Sequence, residues 1–171
     1  MKRRITIAFL GMALAGLAPA AFGQTATGTT ALAVTVGAEA SLQLSTTAFV
    51  NGGGTFGDFT GTTSLTYKIR TKSTGSITVQ VADFTPSGGP TIAGSPSALS
   101  YSCSVPSPAT AGAGCSGQAV AATAFTVASF GPNTHSVKAG DTGSVAWTLA
   151  NDPTYATGTY SALVTFTISA S

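Results

Sequence analysis

The chain is 171 residues long, 43% hydrophobic and only 7% charged, with seven basic residues and five acidic ones. So few charges, against roughly 25% in ordinary soluble domains, exclude a nucleic-acid partner, which needs a basic stripe to neutralise phosphates. One His and two Cys offer no cluster from which a metal or cofactor site is built, so none is expected.

The first element in chain order is an export signal. Lys2, Arg3 and Arg4 precede an uncharged stretch from Ile5 to Ala18 and then small residues around Ala20 and Gly23, the three-part layout of a secretory signal peptide. Cleavage fits after Gly23, with Ala21 and Gly23 at the two small-residue positions, or after Ala20. The expected division is a signal peptide over 1–23 and one domain over 24–171. The apolar stretch is shorter than the roughly 20 residues a spanning helix needs, and no second one follows, so the mature chain is expected to have no membrane span. Removing 1–23 leaves Lys68, Arg70, Lys72 and Lys138 against Glu39, Asp58, Asp83, Asp141 and Asp152. That near-neutral balance does little to discourage self-association. The expected location is secreted, on the cell surface or in the periplasm of a bacterium.

From Thr29 to Leu44 two apolar rows, Leu32, Val34, Val36 and then Ala40, Leu42, Leu44, flank Gly37 and Ala38. They predict one long strand with a bulge, or two strands with a tight bend. Asn51 to Gly54, with Phe56, Asp58 and Phe59 after them, read as a loop with a short strand or turn. Leu65, Tyr67, Ile69 and Ile77, Val79, Val81 alternate with polar residues around the turn letters Thr71 to Gly75, which predicts a hairpin. Three prolines and three glycines between Phe84 and Ser97 mark a long loop. Leu99, Tyr101 and Cys103 resume the alternation, Phe125 and Val127 share a parity within Gln118 to Phe130, and His135 and Val137 form a short row. Val145, Trp147 and Leu149 predict an inward row, and Gly158 to Ser169 the last strand. No helical period occurs outside the signal. The fold class is all-β, a single immunoglobulin-like Greek-key sandwich of about seven to nine strands.

Cys103 and Cys115 lie in a segment rich in Pro, Ser, Ala and Gly. In an exported protein they are expected to form a disulfide. His135 with Asp141 and nearby serines lacks a nucleophile elbow, and the acids are scattered singly, so no catalytic residue is expected and the protein is read as not an enzyme. Asp58 with Asn51, or Asp152 with Asn151, lack the dense acidic spacing of calcium loops and read as turn residues. Lys68, Arg70 and Lys72 share one side of a strand, which reads as protection of a sheet edge. Tyr155, between Pro153 and Gly158, is the aromatic expected to be exposed and the candidate for stacking on a sugar ring.

The exported Thr/Ser/Ala-rich domain resembles bacterial surface sandwiches, in particular the spore-coat-U type subunits of chaperone–usher pili. The likeness rests on Ala31 to Val36, on Phe56-Gly57-Asp58-Phe59 and on the terminal run Gly158 to Ile168. Trp147-Thr148-Leu149 with Asp152-Pro153 is also similar to part of a Gram-positive wall-binding domain named for its Trp-x-Leu motif. In the pilus family an N-terminal segment of one subunit completes the sandwich of the next. The resemblance therefore implies a donor strand within Thr27 to Val36, with Gly28, Thr30, Leu32, Val34 and Val36 facing a groove. The function expected is a non-enzymatic structural or adhesive surface protein whose partners are itself or other surface subunits. The alternative is a carbohydrate- or cell-wall-binding module, with a glycan as partner.

Overall fold

The computed structural model describes residues 30–105, 107–112 and 115–171; the expected signal peptide and Gly28 lie outside them. Contacts divide the chain after Val34. Of the first unit only 30–34 are described; the second, Thr35–Ser171, is a two-layer all-β body with no helix among the described residues. Its strands are β1 Glu39–Leu44, β2 Val50–Asn51, β3 Phe59–Arg70, β4 Gly75–Val81, β5 Leu99–Ser104, β6 Thr110–Ala111, β7 Ser116–Gln118, β8 Ala124–Phe130, β9 Asp141–Leu149 and β10 Val164–Ala170. One sheet runs β1-β3-β9-β5-β7, with β2 also on β3; the other runs β10-β4-β8-β6. Every pairing is antiparallel. Two of these, β2 and β6, are ladders of only two residues each.

The period-two rows make the core because alternate side chains of a strand face the same layer. Leu65, Tyr67 and Ile69 of β3, Val145, Trp147 and Leu149 of β9 and Leu99 and Tyr101 of β5 are buried from one sheet, and Ile77, Val79 and Val81 of β4 from the other. Tyr101 and Phe125 stack at 3.7 Å and 13°, with Trp147 edge-on to Phe125 at 6.3 Å. On β8 the register against β4 slips by one between Ile77 and Thr78. That bulge switches parity, so Val127 and Ala128 are both fully buried.

Several expectations need correction. The run from Leu65 to Val81 is no hairpin: β3 and β4 lie in different sheets. Residues 71–74 arch between the layers because Thr71 is buried and tied elsewhere, its Oγ1 donating to Gly131 O at 2.8 Å and its N to Thr134 O at 2.9 Å. The first row of the N-terminal stretch, Leu32, Val34 and Val36, belongs to no strand; only the second row does, as β1. The last strand starts at Val164, opposite Val81, where β4 ends. Upstream of it only Ser161 pairs, in an isolated bridge with Thr85. His135 likewise makes a single bridge, to Arg70. Of the basic row, Lys68 and Arg70 pair with β1 on one side, while β9 reaches only Tyr67 on the other, and Lys72 lies past the end of β3.

One carboxylate braces the loop from Ala82 to Ala98 at three points. Asp83 Oδ1 accepts from Phe84 N at 2.9 Å and Ile92 N at 2.8 Å, and Oδ2 from Thr91 Oγ1 at 2.8 Å. Ile92, thus held, is fully buried in the core.

Candidate functional site

At one side of the sandwich the outer strands of the two sheets, β1 and β10, run beside each other. Each has only one strand partner among the described residues. Val164, Phe166, Ile168 and Ala170 of β10 are therefore only half-buried although they pack on the core. Between the edges lies a groove of about 480 Å³, walled by Leu44, Phe49 and Thr47 on one side and Ala162, Val164 and Phe166 on the other. Its floor holds Leu99, Trp147 and Thr63. The buried Trp147 indole N–H donates to Thr63 Oγ1 at 2.9 Å, and Thr63 also bonds the hydroxyl of Thr47. The floor's polar groups are thus satisfied among themselves, and the remaining lining is largely apolar.

The residues expected to donate a strand are apolar and exposed. Leu32 is 98% exposed, Val34 83% and Val36 61%, and Thr30 is exposed as well. Three large aliphatic side chains on one parity with no cover among the described residues stand out, since single exposed apolar residues are common. Where the row joins the body, Arg70 Nε donates to Gly37 O at 2.7 Å and its Nη2 to Glu39 Oε2 at 2.6 Å.

Cys103 and Cys115 carry free thiols in the structure, yet they are cross-strand neighbours. The β5–β7 register that pairs Ser102 with Ser116 places them opposite one another, and Cys103 N donates to Cys115 O at 2.8 Å. Burial, followed by the hydrogen bond to Cys115, pushes the Cys103 thiol far above its ordinary range.

A second cleft, of about 490 Å³, opens between the 49–59 and 149–160 segments. Tyr155, half-buried, lines it, but the more exposed ring is Phe56, at 55%. Phe56 has φ 56°, a left-handed backbone that costs a bulky residue roughly 1–2 kcal/mol. The surrounding loop holds it there. Gly52 N donates to Asp58 O at 2.8 Å, Gly53 N to Asn51 Oδ1 at 2.8 Å, and a Cβ on Gly57 would sit 2.0 Å from Gly53 O. Asn151 ties the two walls together, its Nδ2 donating to Gly57 O at 3.1 Å and its N to Asp58 Oδ1 at 3.3 Å. Phe49, Phe59, Phe84 and Tyr160 complete the aromatic lining. Sequence reasoning missed these, because they lie far apart along the chain and share no spacing.

Asp152 accepts on Oδ1 from Thr154 N at 2.8 Å and Thr154 Oγ1 at 2.7 Å. These bonds, side chain first, lower its pKa. The neighbouring Tyr155 phenol is raised, by burial and then by the Asp152 charge. Asn51 and Asp152 thus act as turn-forming residues. No group of three or more His, Cys, Asp and Glu among the described residues could hold a metal ion, and no helix there is long and apolar enough to cross a membrane. His135 is exposed, its Nδ1 3.3 Å from Asn133 O. Comparison of the chain with protein-family models, with curated proteins and with solved structures finds no match.

Proposed function

We propose that the protein is a non-enzymatic, exported surface subunit that assembles by strand addition, the 27–36 segment of one copy lying in the groove beside β10 of the next. The observation that carries this reading is the pairing of an open β10 edge, with its half-buried Val164, Phe166 and Ile168, and an uncovered row of Leu32, Val34 and Val36 in the same chain. Fully burying a side chain of that size contributes roughly 1.5–3 kcal/mol, and the main chain of β10 supplies the hydrogen bonds of a new ladder. The strand order supports an immunoglobulin-like Greek key as the framework. In the order A-B-E-D over G-F-C, β1, β3, β9 and β5 match the first sheet and β10 and β4 match F and C, while β8 and β6 extend the second sheet beyond C and stand outside that order. The G position, beside β10, has no strand among the described residues. An added strand would occupy that position. Export, whether to the periplasm, the cell surface or the medium, is part of the same reading.

Size-exclusion chromatography of exported protein with and without residues 24–36 tests it. Concentration-dependent oligomers that collapse to monomer on deletion are expected. A monomer indifferent to the deletion overturns the reading, and a monomer that loses thermal stability instead points to the segment closing its own sandwich.

A further inference from the structure

We propose that the cleft between the 49–59 and 149–160 segments binds a neutral or amino-sugar saccharide, with Phe56 and Tyr155 as stacking surfaces and Asp152 as the hydroxyl-binding acceptor. This site is separate from strand addition and does not rest on it. A pyranose presents an apolar C–H face and a rim of hydroxyl donors, so its complement is a ring surface next to a fixed oxygen acceptor. The cleft supplies both. Its volume of about 490 Å³ falls in the range of small-ligand sites, which are mostly apolar or aromatic with few oriented polar groups.

Three observations favour a sugar over other occupants. No Lys, Arg or His lines the cleft, which leaves no counter-charge for a phosphate, sulfate or carboxylate. The Asp152 carboxylate is exposed and oriented through Oδ1 by Thr154, while Oδ2 has no hydrogen-bond partner among the described residues. An acceptor-only group in that state suits a ligand rich in O–H or N–H donors. Phe56, finally, is held at the rim in a backbone conformation that disfavours its own side chain, and such strain collects at binding sites. The walls are already tied by Asn151, so little ordering is left to oppose binding.

The test is a glycan array carrying neutral, amino-sugar, sialylated and sulfated oligosaccharides, followed by calorimetric titration of any hit with the full exported chain. Phe56→Gly is the informative variant, because glycine accepts the local φ and only the ring is lost. Binding of neutral or amino-sugar glycans, weakened roughly tenfold by Phe56→Gly and by Tyr155→Ala and several-fold by Asp152→Asn with unchanged circular dichroism, is the expected result. Silence across the array, binding confined to sialylated or sulfated glycans, affinity untouched by the two ring deletions, or occupation of the cleft by a synthetic 27–36 peptide in place of sugar would each overturn it.

Discussion

Arg70 holds the chain on both sides of Ala38, once by backbone and once by side chain: its Nε donates to Gly37 O at 2.7 Å and its Nη2 to the Glu39 carboxylate Oε2 at 2.6 Å. One side chain of β3 thereby sets the start of β1. Both partners are substantially exposed, at 43% and 76%, and exposed ion pairs are worth about 1 kcal/mol or less. Arg70→Ala should therefore lower global stability by no more than about 1 kcal/mol while the Ala38 and Glu39 amides exchange faster. Hydrogen–deuterium exchange read by mass spectrometry checks this. Unchanged protection there would show that the grip has no local effect.

The groove floor makes a sharper demand. Thr63→Val keeps the side-chain shape but removes the hydroxyl that accepts from the Trp147 indole N–H, leaving a buried donor without that partner. The expected loss is about 1–3 kcal/mol, measured by urea unfolding with Trp147 fluorescence. Thr63→Ser, which keeps the hydroxyl, should recover most of it.

Tyr67 leads to the opposite expectation. Its hydroxyl and Asp141 Oδ2 are buried with no hydrogen-bond partner among the described residues, and burial, then the Asp141 charge, raises the phenol pKa. Tyr67→Phe removes an unsatisfied polar atom while keeping the ring that meets Phe130 edge-on at 5.4 Å. Thermal unfolding should show a neutral or stabilising change of up to about 1 kcal/mol. A clear loss of stability would argue for a partner at that hydroxyl.

Acid should loosen the 82–98 loop before the sheets. Burial works to raise the Asp83 pKa, but the hydrogen bonds from Ile92, Thr91 and Phe84 outweigh it and leave it lowered. A carboxylate with a depressed folded-state pKa stabilises fully above its unfolded value, near 3.9, and loses that contribution as pH falls through the folded one. The Phe84 and Ile92 amides should lose protection below that range, and Asp83→Asn should flatten the dependence. Exchange measured from neutral to acid pH decides it.

If the chain is exported as proposed, the protein should contain no free thiol, because the strand register sets Cys103 opposite Cys115. A bridge closing so short a loop contributes about 3 kcal/mol in the chain-entropy model. Thiol titration under denaturing conditions and unfolding of the double Cys→Ser variant test this. Two titratable thiols in freshly exported protein would exclude the bridge.

Burial along the strands was legible in the letters, whereas partnership was not. Leu65 to Ile69, Ile77 to Val81 and Val145 to Leu149 face the core as their period predicts, since alternation is a local property of an extended chain. The turn letters at Thr71 to Gly75 serve a hairpin or an arch equally well. Thr71 settles the matter through Gly131 and Thr134, 60 and 63 residues away in sequence. The alternation from Gly158 continues past the point where β4 can pair, so its first half made no strand. Tyr155 could be picked out by its Pro and Gly flanks, but Phe49, Phe56, Phe84 and Tyr160 meet it only after folding.

The four outermost strands are unequal: β1 and β10, on one side, have six and seven residues, while β7 and β6, on the other, have three and two. Stubs that short offer a newcomer little to zip onto. If units assemble by strand addition as proposed, the long β1 and β10 edges favour growth in single file over sideways spreading into layers.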